Sequence, residues 1–356
     1  MASSKPEELA CRVVGRPGRA LAPRCHGDRG RLGRRPRGGV DAEGVRHRLL
    51  ERRGVRRRRG RLAATALAVG LAACGGGSET GPAARSRLLV PDVTDVTALV
   101  ALPDGSLRVG IRASGVVEDV SATGTVGPPV ARVEVRADGQ RGLLGVAVDA
   151  TGQTFASWTR PDGRLVVGQV APGPTRLVWE GPSSVDRANG GHLAFRDARL
   201  VIGIGDLLQN ERQDDPAAIN GKLVSLDPDG LPGQQPRLVS SGWNNPFAFT
   251  VLDDGAIWVA DNSPGDTGER LVRGDGADND PIELPTGTAP SGIDHLGSDE
   301  LVVCGYKSGA LLRYRLVEGR PRLEGTLATD CRTAIVILGD GGVVYAADDG
   351  LRLVIP

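Results

Sequence analysis

The sequence predicts an all-β fold, a six-bladed β-propeller, over residues 87–356. Three observations carry it. From Leu88 to Pro356 the chain is a succession of short β-branched runs cut by Asp/Gly turns, with no helical period of useful length. Turns of this kind recur at residues 104, 149, 197, 254, 299 and 340, in steps of 45, 48, 57, 45 and 41. Both ends read as strands, Leu88-Leu89-Val90 and Leu351 to Ile355.

Each element follows from local chemistry. Pro103-Asp104-Gly105 leads into Leu107-Arg108-Val109-Gly110, Asp253-Asp254-Gly255 into Ala256-Ile257-Trp258-Val259, and Gly339-Asp340-Gly341 into Val343-Val344-Tyr345-Ala346. Asp and Gly tolerate the positive φ of tight turns, and the runs after them have the β-branched and aromatic bias of strands. A repeat of roughly 40–50 residues with four short strands per unit is the period of a propeller blade. Pairing the first and last runs inside one blade would close the ring and remove an exposed edge. A large β-sandwich is the competing architecture, and it does not need even spacing. With aromatics at 3% of the chain, the blades must pack on Val, Leu, Ile and Ala.

The residues ahead of the repeat have another character. Residues 1–73 hold nineteen basic side chains against six acidic ones, a net +13, so the remainder carries −12 and the total of +1 describes neither part. A nucleic-acid arm is disfavoured, because this head has no Phe, Tyr or Trp to stack on bases. Arg56 to Arg61 followed by the apolar Leu62–Ala73 reads as a signal peptide, about half the length a spanning helix needs. Leu71-Ala72-Ala73-Cys74 resembles a bacterial lipobox, which makes Cys74 the lipidation site and places the protein at the cell membrane, facing outward. The competing reading is a chance apolar stretch with a buried Cys. The expected organisation is a basic extension over 1–54 upstream of a start at Val55 (a GTG codon there would serve), a lipoprotein signal over 55–74, a Gly/Ser-rich linker over 75–86, and the propeller over 87–356.

Beyond Cys74 the domain has two cysteines, Cys304 and Cys331. An even pair in an exported domain suits a disulfide. Two separate buried thiols are the alternative.

Three blocks then resemble one family, the PQQ-dependent sugar dehydrogenases of the soluble glucose dehydrogenase and sorbosone dehydrogenase type, which are six-bladed propellers. The first is Gln140-Arg141-Gly142-Leu143-Leu144-Gly145. The second runs from Asn189-Gly190-Gly191 through Ile204-Gly205-Asp206 and Gln213 to Asn220-Gly221-Lys222, closing on Asp227-Pro228-Asp229-Gly230. The third is Gly242-Trp243-Asn244-Asn245-Pro246-Phe247, followed by Ile257 to Pro264 and Glu269. The resemblance as a whole runs in order over roughly residues 95–350. The resemblance implies the quinone PQQ on the propeller axis, Ca²⁺ beside it, a His base and an Arg that steadies developing charge. It also implies a small sugar or related alcohol as substrate and a separate electron acceptor; a monomer that binds no nucleic acid is expected.

Matched positions give the candidate residues. Gln140, Asp206 and Asn245 fall at the reacting end. Lys307, Arg332 and Asn244 fall at cofactor-contacting positions, although Asp330 stands where the family has its first clamp Arg. Ser263 and Pro264 match main-chain calcium ligands, and backbone donors survive side-chain change. The family's His and Arg are absent: their positions are Ala188 and Asn244. His192 is four residues from Ala188, about 13 Å along a single strand, and reads as a polar residue at a blade edge. His295 reads as structural. The chain has only three Lys among 44 basic residues, and both in the domain, Lys222 and Lys307, fall at motif positions. A compact ammonium differs from a planar guanidinium, which supports Lys307 as a ligand, while Lys222 reads as a turn residue. Two functional readings follow: an exported PQQ- and calcium-dependent oxidoreductase, or a degenerate surface propeller that binds a sugar, glycan or protein.

Overall fold

The computed structural model describes residues 86–264, 268–276 and 280–356. The expected basic extension, signal peptide, Cys74 anchor and all but the last residue of the linker lie outside the described residues. Within them every regular element is a strand except one short 3-10 turn at Asn210–Arg212.

The strands form six four-stranded antiparallel sheets. After β1 (Arg87–Pro91), blade one holds β2 (Val96–Ala101), β3 (Leu107–Ile111), β4 (Val116–Val120) and β5 (Val126–Arg132). Blade two holds β6 (Leu143–Val148), β7 (Thr154–Thr159), β8 (Arg164–Val170) and β9 (Arg176–Ser183). Blade three holds β10 (Gly190–Arg196), β11 (Arg199–Ile204), β12 (Lys222–Leu226) and β13 (Arg237–Ser241). Blade four holds β14 (Ala248–Val251), β15 (Ile257–Asp261), β16 (Arg270–Arg273) and β17 (Ile282–Glu283). Blade five holds β18 (Pro290–Leu296), β19 (Glu300–Gly305), β20 (Leu311–Val317) and β21 (Arg320–Ala328). Blade six holds β22 (Ile335–Ile337), β23 (Val343–Ala347) and β24 (Gly350–Val354), with β1 as its outermost strand.

The innermost strands β2, β6, β10, β14, β18 and β22 contact one another in sequence, and β22 returns to β2, which makes the ring. All six turn markers fall in the hairpin between the first and second strand of their own blade. The long step of 57 residues has a local cause: the connection from β11 to β12 spans 205–221 and carries the 3-10 turn.

Closure uses the two ends as the sequence pattern implied. β1 pairs with β24 through Arg87↔Leu353, Leu88↔Arg352, Val90↔Leu351 and Pro91↔Gly350. The apolar core lies between blades rather than within them. Leu144, Phe155 and Leu165 of blade two pack with Leu193, Leu200 and Ile202 of blade three, for example. Prolines blunt the outer rim, where Pro128, Pro129, Pro182 and Pro321 lie on outermost strands and withhold ladder donors.

Gly350 marks the tightest point of the closure. Its φ is 139°, and a Cβ there would sit 2.1 Å from the carbonyl oxygen of Val90. We expect Gly350→Ala to lower stability by more than about 1 kcal/mol, measured by thermal or urea unfolding. An unchanged midpoint would mean that β1 is not held where the pairing places it.

Candidate functional site

Antiparallel blades put two kinds of connection on one face of the ring: those from blade to blade, and those from second to third strand. Every residue singled out from the motifs lies in or beside such a connection. Gln140 precedes β6, Ala188 precedes β10, Asp206 follows β11, Asn244 and Asn245 precede β14, Ser263 and Pro264 follow β15, Lys307 follows β19, and Arg332 precedes β22. The hairpins that revealed the repeat lie on the opposite face.

Hydrogen bonds join these connections. Gln140 Oε1 accepts the Ala188 N–H at 3.0 Å. Ala188 has φ 56°, in the left-handed region, and Gly190 and Gly191 are also positive. The chain therefore bends before β10, and Ala188 and His192 do not share one extended strand, as the 13 Å estimate assumed. Asn189 closes the bend by accepting Val185 N at 2.7 Å and donating to Val185 O at 2.8 Å. Asn245 Oδ1 accepts Gly190 N at 2.9 Å, tying blade four to blade three.

Asp206 lies between positions 188 and 244. Its N–H donates to Asn244 O at 2.7 Å, and the next N–H, of Leu207, donates to Ala188 O at 3.2 Å. Asp206 is 4% exposed, and Oδ1 accepts Leu208 N at 2.8 Å. Burial raises its pKa above the ordinary carboxylate value, against the lowering bonds from Leu208 N and the Gln213 side chain. Leu207 and Leu208 follow with φ of 54° and 61°. Two successive leucines in the left-handed region are strained, and such strain persists only where surrounding bonds over-determine it.

Asp261 is the hub that sequence reasoning missed. It ends β15, is 0% exposed, and accepts the N–H groups of Asn244 at 3.1 Å and Asn245 at 2.9 Å. The Asn244 amide donates to Asp261 at 3.3 Å, while its Oδ1 accepts Gln213 Nε2 at 2.9 Å. Arg270 pairs with Asp261 at 3.2 Å and stacks 5.2 Å from the Trp243 ring centroid. Burial still raises the Asp261 pKa, outweighing Arg270 and the two backbone donors. Asn244 is thus committed to protein partners on both sides of its amide. The one signal for Asp261 in the sequence is an acid closing the apolar run Ile257-Trp258-Val259-Ala260.

The network continues around the ring. Asn262 N donates to Asn245 O at 3.4 Å, and the following Ser263 and Pro264 are half-buried and exposed. Buried Glu269 accepts Ala289 N at 2.9 Å, Tyr306 N donates to Ala289 O at 2.9 Å, and Lys307 N donates to Thr288 O at 3.3 Å. Arg332 reaches Tyr306 O through Nη1 at 3.4 Å, and its guanidinium pairs with Asp348 at 2.8 Å. Asp330 turns away from this pair: it accepts Tyr345 Oη at 2.7 Å and pairs with Arg352. Cys304 and Cys331 are joined by a disulfide. Among the described residues, no group of three or more His, Cys, Asp or Glu side chains is arranged to hold a metal.

Three other residues are placed differently or more fully than the sequence allowed. His192 lies on innermost β10, the inner edge strand of blade three, and is packed there edge-on to Phe249 at 4.9 Å; burial pushes its imidazole down to about 4, so it is neutral at pH 7. His295 lies toward the opposite face, where it contacts Thr250 and Asp294, and Asp294 raises its pKa. Lys222 opens β12 as a buried cation whose Nζ donates to the carbonyls of Gln213 and Asn220.

Comparison with known proteins agrees with this arrangement. The sequence profile described as Glucose / Sorbosone dehydrogenase matches residues 94–271, half of the chain. The protein belongs to the glucose/sorbosone dehydrogenase family. No curated protein matches the sequence at a significant level. Among solved structures, the fold is similar to the PQQ-bound aldose sugar dehydrogenase of Streptomyces coelicolor, at 20% identity and TM-score 0.65, over 77% of this chain and 99% of that one. It is also similar to the apo form of the soluble aldose sugar dehydrogenase of Escherichia coli, at 18% identity and TM-score 0.66, over 76% and 98%. A putative oxidoreductase (glucose dehydrogenase) of Thermus thermophilus aligns at 23% identity and TM-score 0.64, over 76% and 99%. Within the glucose/sorbosone dehydrogenase propeller, this chain offers a methyl group at 188 and a committed amide at 244.

The raised pKa of Asp206 has a signed consequence for stability. A carboxyl whose folded pKa lies above its unfolded value contributes stability that is fully present below the unfolded pKa, near 4, and is lost as pH rises through the folded one. The melting temperature of the wild type relative to Asp206→Asn should therefore fall between acidic and neutral pH. A pH-independent difference would show that Asp206 is not held away from water.

Proposed function

We propose that this propeller takes PQQ, with calcium, on its connection face and oxidises a sugar or related alcohol, passing the electrons to a separate acceptor. The observation that carries the reading is the pair of cations at one rim of a glucose/sorbosone dehydrogenase propeller, with Arg332 reaching the backbone of the turn that holds Lys307. PQQ is a tricarboxylate, and an ammonium beside a planar guanidinium suits carboxylates in two geometries. The Arg332 fork already holds a carboxylate, that of Asp348, whose side chain is 75% exposed and so open to exchange. The donor set at this end therefore fits the cofactor. Calcium would take the main-chain oxygens of Ser263 and Pro264, hard donors of the kind it prefers.

When bound, the quinone supplies a two-electron acceptor for hydride leaving a hydroxyl-bearing carbon. The chain's own residues would do the rest. Gln140, its Oε1 fixed by Ala188 N, has its amide N–H groups left for a substrate hydroxyl. Asn245 holds the bend at Gly190. Asp206 is the ionisable group between positions 188 and 244, and its raised pKa makes it a better proton acceptor than an ordinary carboxylate.

A second reading is favoured by Ala188 and Asn244 themselves: a propeller that binds a sugar, glycan or protein without turnover. A base and a charge-stabilising cation each contribute orders of magnitude in rate. Titrating the purified protein with PQQ and Ca²⁺, then assaying aldoses with a dye acceptor, separates the two. Absence of PQQ binding at micromolar concentration sinks the first reading, whereas saturable PQQ without dye reduction establishes the second. In that case Ala188→His with Asn244→Arg should restore measurable turnover.

The same proposal puts the protein outside the cytoplasmic membrane as a lipoprotein and a monomer. The order of basic cluster, apolar run, Leu-Ala-Ala-Cys and Gly-Gly-Gly-Ser supports the anchor at Cys74. The internal disulfide suits an oxidising compartment. Metabolic labelling with a fatty acid should mark the protein in a bacterial host, and Cys74→Ser should abolish both the label and membrane fractionation. Labelling that survives the substitution would remove the anchor from the proposal.

A further inference from the structure

The bridge between Cys304 and Cys331 joins the two segments that carry the cations used above. Cys304 closes β19 with Gly305, just ahead of the turn that carries Tyr306 and Lys307. Cys331 immediately precedes Arg332 in the connection from blade five to blade six. Both cysteines are 0% exposed, and 27 residues separate them.

Other contacts crowd the same junction. Ser291 Oγ contacts the carbonyl of Cys304 at 3.3 Å and that of Arg332 at 2.8 Å. Cys331 N donates to Gly309 O at 2.8 Å, and Arg332 N donates to Ala346 O at 2.8 Å. Gly309 has φ 72°, and a Cβ on it would lie 2.6 Å from Thr329 O and 3.4 Å from Arg332 Nη1. The turn 305–309 and the segment 329–332 are therefore in van der Waals contact, and the disulfide is the covalent link between them. Ring closure is accomplished elsewhere, by β1 and β24, so the bridge is not what joins the chain ends.

We propose that Cys304 and Cys331 are positioning residues for the carboxylate-binding pair, and that Lys307 and Arg332 reach their binding geometry only when the bridge is formed. This rests on the reading of Lys307 and Arg332 as cofactor ligands. The ammonium is on a turn of blade five and the guanidinium on the approach to blade six, so their spacing is set by the inter-blade junction. Hydrogen bonds at that junction exchange with water when it opens, while a covalent bridge does not. The tricarboxylate site would then be complete where thiols are oxidised and weak where they are reduced.

The test uses the full chain in four forms: wild type, Cys304→Ser with Cys331→Ser, Lys307→Ala, and the combination. PQQ is titrated by tryptophan fluorescence at a temperature where melting curves show every form folded. If the double-serine form does not fold, Cys304→Ala with Cys331→Val fills the buried space in its place. Loss of the bridge should raise the PQQ Kd about tenfold, and Lys307→Ala about tenfold. The combination should fall well short of the product, because both changes act through one contact. A multiplicative combination, or a lowered melting temperature with unchanged Kd, overturns the proposal. Amide hydrogen exchange without PQQ supplies an independent arm: 305–309 and 329–333 should exchange faster than the other connections once the bridge is gone. Unchanged exchange there also overturns the proposal. If wild type binds no PQQ while that exchange does change, the functional reading fails and the positioning role stands.

Discussion

Everything in this molecule depends on closing a ring of sheets whose ends are held by hydrogen bonds. A single blade buries no apolar face by itself, because its core lies against the next blade. If β1 leaves β24, blade six gains an open edge and the stack loses its circular continuity. Gly350 shows how tight that closure is, since no side chain fits beneath the Val90 carbonyl. The site inherits the constraint. Its residues come from connections of blades one to six, and their separations are fixed only when the ring is complete.

On that frame the connection face divides into two halves with different electrostatics. Over blades three and four, carboxylates are buried: Asp206 at 4% exposure and Asp261 at 0%. Asp261 organises the Asn244-Asn245 turn and draws Arg270 to itself, so the cation nearest position 244 is already neutralised. Over blades five and six the charged groups are more open, with Lys307 exposed and Arg332 paired with the accessible Asp348. Backbone connects the halves through Ala289, which gives its N–H to Glu269 and its carbonyl to Tyr306.

The sequence was legible where a residue type has one local job. Asp-Gly turns need positive φ, so they announced all six first hairpins, and the terminal strands announced the closing pair. The anomalous step of 57 marked the long β11–β12 connection without explaining it. Where tertiary context decides, the residues carry no mark. Ala188 and Leu207–Leu208 take left-handed φ although nothing in their chemistry favours it, and the hydrogen bond from Leu207 N to Ala188 O requires a partner on another connection. Asp261 looks like an ordinary strand-end acid until its burial is known. His192 shows the converse error: counting along one strand from Ala188 misjudged their separation, because positive φ at Ala188, Gly190 and Gly191 bends the chain at the start of β10.

Under the proposed reading, Ala188 and Asn244 act together. An Arg at 244 would place a second guanidinium on Asp261, which Arg270 already satisfies, and Asn244 instead accepts Gln213 and donates to Asp261. With no free cation at 244 there is no electrostatic reward for charge developing on a substrate oxygen, and a strong base at 188 would have less to drive. What remains in that half is Asp206, raised by burial rather than lowered by a neighbouring cation. Under the proposed reading, binding affinity and rate are therefore carried by separate parts of the ring. The Lys307–Arg332 rim can retain the polycarboxylate while the Ala188–Asn244 side sets how slowly, or whether, anything is oxidised. Under that reading, a substitution at one end of the site changes affinity or rate without requiring a change in the other.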